Sequence, residues 1–158
     1  MWNVVRNALC CGAAAGLTST AAVMALACLE GRRPWQPLNG TSHWLWGEEA
    51  GAVTRLDARH TGIGLATNQG AAMFWGAIFG GWLAARPPRS RIALFRDASL
   101  LTMIAGLVDY GLVPKRLTPG WELAVSRKSV AATFAAMGLG LAVGGLVASR
   151  GREGRQRA

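Results

Sequence analysis

Two histidines, His43 and His60, share the stretch between residues 30 and 60 with the acids Glu48, Glu49 and Asp57. Two imidazoles and a carboxylate form a ligand set for a divalent metal, and a lone imidazole carries a proton near neutral pH. The spacing here matches no compact motif such as HExxH, which sets both imidazoles on one helix face. The chain is therefore read as holding no metal and no cofactor, with His43 and His60 as hydrogen-bonding groups. No phosphate-binding loop, nucleophile elbow, haem attachment site or paired-carboxylate constellation is present. No catalytic residue is assigned, and a non-enzymatic role is expected. An enzyme acting through His43, Glu48 or His60 stands as a third reading.

A second set of polar groups interrupts apolar sequence: Asn68, Gln69, Asp97 and Asp109. Ionisable groups among apolar helices mark ion and proton paths in transporters. The same residue types also hydrogen-bond helices to one another. A small transporter or channel using Asp97, Asp109, Asn68 and Gln69 is the alternative reading. Cys10, Cys11 and Cys28 all fall in the first apolar run, with no CxxC pair, and read as small apolar helix residues.

The elements that would position these groups are four apolar stretches. Asn7–Leu29, Thr61–Ala85 and Ser129–Ser149 contain no charged residue, and Ile92–Pro114 contains only Arg96, Asp97 and Asp109. A helix needs roughly 20 apolar residues to cross a bilayer, and it pairs its own backbone groups there. The expectation is an all-α integral membrane protein, a four-transmembrane-helix bundle with a polar, Trp-rich outer cap. Spans are placed at about 7–29, 62–85, 92–112 and 127–149, with an outer loop at 30–60 and a basic tail at 150–158. The first run exceeds a signal-peptide core, and Gly12, Gly16 and Thr20 recur along it at packing distance, so it is read as a retained helix. In 158 residues no room is left for a separate soluble domain.

The net charge of +9 is gathered in short segments: Arg86, Arg89 and Arg91 in one loop, and Arg150, Arg152, Arg155 and Arg157 in the tail. Cytoplasmic flanks of membrane helices hold basic residues, and anionic lipid accounts for them without nucleic acid. Both termini are therefore expected in the cytoplasm, with the 30–60 loop on the outer face.

That loop carries Pro34, Trp35, Asn39, Gly40, His43, Trp44 and Trp46. Indole rings suit the headgroup zone, and a short interfacial helix is expected from Ser42 onward. Trp35, Asn39, His43, Trp44, Trp46 and Trp121 are the expected partner- or lipid-binding residues. Thr118-Pro119 reads as a helix start. Folding the chain antiparallel about it sets Asp109 level with Arg127 or Lys128, and Lys115 level with Glu122, as structural ion pairs. Small residues at every fourth position, Ala72-Gly76-Gly80-Ala84 and Ala132-Ala136-Gly140-Gly144-Ala148, let helices approach closely within the chain, or between copies in a homo-oligomer.

The stretches Pro37-Leu38-Asn39…Ser42-His43-Trp44-Leu45-Trp46-Gly47 and Val108-Asp109-Tyr110…Val113-Pro114-Lys115-Arg116-Leu117-Thr118-Pro119-Gly120-Trp121-Glu122 resemble those of small bacterial inner-membrane proteins with four predicted helices. The resemblance implies a bacterial source, the inner membrane and a four-span bundle; it implies no activity. The leading reading is an accessory or structural membrane protein. Its outer loops would bind a partner protein, in a larger membrane complex, or lipid.

Overall fold

The computed structural model describes the backbone of residues 2–156 and the side chains of residues 4–149. Four long helices dominate: α1 (Trp2–Leu29), then, beyond a cap, α4 (Ile63–Ala85), α5 (Arg91–Gly111) and α6 (Arg127–Gln156). The cap contains two short helices, α2 (Gln36–Thr41) and α3 (His43–Trp46). Three tight 3₁₀ turns, at Glu48–Ala52, Lys115–Leu117 and Trp121–Leu123, and a wider π turn at Ala58–Gly62 complete it.

The expectation of four membrane-crossing helices is overturned. Among the described residues two helices are long and apolar enough to cross a membrane, over Val4–Leu29 in α1 and Arg127–Ser149 in α6. α4 is uncharged, but Asn68, Gln69 and five glycines dilute its apolar character. α5 carries three charges, Arg96, Asp97 and Asp109, in 21 residues, too many for it to be apolar enough to cross on its own. The 30–60 segment is also more ordered than a loop, since α2 lies inside it and all six of its residues are buried.

Local signals explain where the helices stop and start. α1 ends before Gly31, whose φ of +73° suits the left-handed residue that closes a helix. Ser90 caps α5 by accepting from the Ala93 N–H at 3.1 Å. Thr118-Pro119 does not start a helix. Gly120 follows with a φ of +78°, a short turn at Trp121–Leu123 intervenes, and α6 begins only at Arg127.

α1 is the central helix, packed against α4 on one side and α6 on the other, while α5 lies against α6. Small residues set these spacings. A Cβ on Gly76 would strike the Gly12 backbone, and one on Gly80 would lie 2.5 Å from the Ala8 nitrogen. On α6, a Cβ on Gly140 would lie 2.6 Å from the Ala14 carbonyl oxygen, and one on Gly144 would strike Cys10 and Cys11. The glycines of the two stripes are thus used inside the chain, closing α4 and α6 onto α1. Ala132, at the start of α6, is exposed and lies outside this seam. Phe79, Leu141, Val23 and Cys11 are fully buried between the helices.

Glu30 locks the end of α1 to the start of α6. Its carboxylate accepts from the Ser126 N–H at 2.9 Å, the Ser126 hydroxyl at 2.7 Å and the Ser129 hydroxyl. These bonds hold its carboxyl below the usual carboxylate range, the Ser129 hydroxyl contributing most. The cap therefore sits where α1 ends and α6 begins.

Candidate functional site

The cap is organised by Asn39, which is fully buried on α2. Its amide donates to the carbonyl oxygens of Val53 at 2.8 Å and Arg55 at 3.0 Å. Its side-chain oxygen accepts from the Thr61 hydroxyl at 2.6 Å. One side chain thereby closes the loop from Val53 to Thr61 onto α2. Gln36 does the same for the next turn, donating to the Gly51 carbonyl at 2.9 Å. α2 can lie this deep because Gly64 offers no side chain where α4 meets the Leu38 carbonyl, and a Cβ on Gly40 would lie 2.5 Å from the Gly120 oxygen.

His43 is buried, with Nδ1 3.0 Å from the Gly40 carbonyl oxygen and Nε2 3.0 Å from that of Lys115. A carbonyl only accepts, so a neutral ring donates to one of them and only the doubly protonated ring donates to both. Either way the imidazole ties α3 to the turn after α5. Arg116 reinforces that tie by donating from Nε to the Trp44 carbonyl at 2.7 Å. His60 stands apart from His43. Its Nδ1 lies 3.0 Å from Asp57, which also accepts from the His60 N–H and from Arg55. The Arg55 guanidinium, then the His60 N–H, hold the Asp57 carboxyl well below the usual carboxylate range. Among the described residues no group of three His, Cys, Asp or Glu side chains is placed to hold a metal ion.

The tryptophans point their N–H groups into the protein. Trp35 donates to the Thr54 carbonyl at 2.8 Å, Trp46 to that of Arg59 at 2.9 Å, and Trp44 to the Thr67 hydroxyl at 3.1 Å. The Arg59 guanidinium covers the Trp46 ring at 4.0 Å. Trp121 is buried against Phe134, with ring centroids 5.4 Å apart, and its indole N–H has no partner. Of the six residues expected to bind a partner, Asn39, His43 and Trp121 are thus interior, and Trp44 is the most open. The exposed rim pairs Trp44, Leu45, Leu56 and Leu117 with Arg55, Arg59 and Arg116. A cleft of about 380 Å³ opens there between His43, Gly47, Glu48, Lys115 and Arg116.

The expected ion pairs are not formed. Among the described residues the ion pairs are Arg55–Asp57, His60–Asp57 and Arg96–Asp97. Glu122 accepts instead from the Tyr110 and Thr118 hydroxyls, both at 2.7 Å, rather than pairing with Lys115. Successive helix residues differ by about 100° in direction, so with Tyr110 turned to α6, Asp109 faces Trp75 on α4 and not Arg127 or Lys128. The polar groups considered for transport are closed off separately. Asn68 donates to the Thr20 hydroxyl at 2.9 Å, Gln69 lies against Gly16, and Asp97 accepts from Arg96 at 2.8 Å.

The groups that sequence reasoning missed are Gln36, Thr61 and Glu30. Each acts on residues far away in the chain, and its local sequence gave no signal. Comparison with protein-family models, with curated proteins and with solved structures gives no match for this chain.

Proposed function

We propose that the protein is a non-enzymatic, two-pass integral membrane protein, an accessory or structural component whose cap docks a partner protein or lipid headgroups. The carrying observation is how the cap spends its chemistry. Asn39, His43, His60 and Asp57 are consumed in holding its own turns, and what remains outward is a rim of apolar side chains set among arginines and the exposed Glu48 and Glu49. Such a rim suits recognition rather than bond-making.

Membrane insertion is supported by the outward faces of the helices. Leu9 and Leu17 on α1 and Leu139, Val143 and Val147 on α6 are all exposed. An apolar belt of this extent is costly in water and favoured in lipid. α1 and α6 run antiparallel through Glu30, which suits two crossings with both termini on one side. Arg86, Arg89 and Arg91 join the end of α4 to the start of α5, away from the cap, and this supports cytoplasmic termini and a cap on the outer face of a bacterial inner membrane.

The test is site-specific. A photoreactive residue replaces Leu45 on the cap rim or, as a control, Val143 on the helix face. Cross-linking to one protein species from Leu45, abolished by Trp44→Ala with Arg116→Ala, supports a partner. Cross-linking to lipid alone from Leu45 supports headgroup docking. No adduct from Leu45, with lipid adducts from Val143, removes the cap as a binding surface.

A further inference from the structure

Between α5 and α6 lies an open groove of about 700 Å³. Its walls are apolar: Phe95, Met103 and Leu107 from α5, with Phe134 and Leu139 from α6. It exists because the two helices touch through a narrow seam of small groups. A Cβ on Gly138 would lie 2.9 Å from the Thr102 hydroxyl, while Gly106 faces the Phe134 ring. Outside that seam the exposed residues Ala131 and Ala135 are too small to fill the space.

The groove has one charged end. Arg127 lines it, exposed, at the first residue of the apolar segment Arg127–Ser149. Lys128 follows and is also exposed. Among the described residues no carboxylate lies within ion-pair distance of either. The neighbouring acids are engaged elsewhere: Glu122 by Tyr110 and Thr118, Glu30 by Ser126 and Ser129, Asp109 beside Trp75. The Tyr110 ring packs on Phe134, centroids 6.1 Å apart, and lines the groove together with Arg127.

Length identifies the occupant. From Arg127 to Leu139 α6 rises about 18 Å at ~1.5 Å per residue. One leaflet of a bilayer offers ~15 Å of hydrocarbon, half of its core. Along α6 the groove therefore runs from the boundary of the apolar segment to about the bilayer centre, and α5 supplies the second wall by packing against α6. We propose that it binds one acyl chain of an anionic phospholipid, whose phosphate is held by Arg127 and Lys128. This rests on the membrane reading above and names a lipid site separate from the cap. A second copy packed through this same groove is a poorer fit, because the acids of α5 that would then face Arg127 are held by Arg96 and beside Trp75.

The experiment uses the full chain, delipidated in mild detergent, with phosphatidylglycerol as the probe and phosphatidylcholine and inorganic phosphate as comparisons. Bound lipid is counted by native mass spectrometry. Phosphatidylglycerol is expected to bind at one site, and Arg127→Gln with Lys128→Gln to weaken it about tenfold or more, the scale of a lost charge-assisted bond. Ala135→Phe, on an exposed position, fills the groove and abolishes binding; Ala135→Ser leaves it intact, and circular dichroism verifies the fold of each. Unchanged binding in Ala135→Phe, equal binding of phosphatidylcholine in all variants, or competition by inorganic phosphate alone overturns the proposal. So does a dimer that Ala135→Phe dissociates. A chain that stays dispersed without detergent overturns the membrane reading instead, so the two failures are distinguishable.

Discussion

Replacing Asn39 tests the cap at its centre. Asn39→Ala removes three hydrogen bonds at once, leaving the Val53 and Arg55 carbonyls without partners and the Thr61 hydroxyl, which still accepts from the Asp57 N–H, without an acceptor for its proton. An unsatisfied buried group costs about 1–3 kcal/mol. Val53 is half-buried and Arg55 exposed, so water reaches their carbonyls and the lower end applies to them. Thr61 is buried and bears more of the loss. The total is ~3 kcal/mol, which for a chain of this size lowers Tm by roughly 6–12 °C. Asn39→Asp is the sharper variant. It keeps the shape and the acceptor for Thr61, yet turns an oxygen toward two carbonyl oxygens. It is therefore expected to destabilise more than alanine at neutral pH, despite being closer in size. Thermal unfolding in detergent, followed by tryptophan fluorescence, gives the order wild type, alanine, aspartate. Aspartate equal to wild type would refute the reasoning, because the amide would then not be donating to Val53 and Arg55.

Three further outcomes follow from the packing and the charges. Gly80→Val pushes a side chain into the Ala8 backbone and should cost about 1–3 kcal/mol, whereas Gly70→Ala, which meets nothing within 4 Å, should be neutral or stabilising by ~0.5–1 kcal/mol; parallel melts compare them. Glu30 is held below the usual carboxylate range, so its contribution is complete above the ordinary glutamate value and is lost as pH falls through the lowered one. The Tm gap between wild type and Glu30→Gln should thus be wide at pH 7 and narrow steadily toward pH 3; a constant gap contradicts the cap. Trp121→Phe surrenders no hydrogen bond and should be tolerated, while Trp46→Phe gives up its bond to Arg59, and a reversed order of their melting points would count against this assignment.

The sequence made the long helices legible, because charge-free apolar runs and the break at Arg86–Arg91 are local signals. It misled on how many of them are apolar enough to cross a membrane, since the absence of charge in α4 hid the polarity of Asn68, Gln69 and its glycines. The hairpin register failed for a related reason. Matching Asp109 with Arg127 assumed two continuous helices, and the turns at Lys115–Leu117 and Trp121–Leu123 break that symmetry. Pro37 and Asn39-Gly40 lie in a buried helix and not in an open loop, because Gly64 and Gly120 make room for it. Asn39 and His43 stood out as unusual residues, but their partners at Val53, Arg55, Thr61 and Lys115 are distant in the chain, so only the fold reveals that they hold the cap rather than offer a surface.

The most direct check of the proposed two-pass topology places single cysteines at either end of α1, in a chain with Cys10, Cys11 and Cys28 replaced by alanine. In sealed vesicles of known orientation, a membrane-impermeant maleimide should label Arg32→Cys from the outer side at once, and Val4→Cys only after the membrane is opened. Equal labelling of both from one side of an intact membrane would contradict the account.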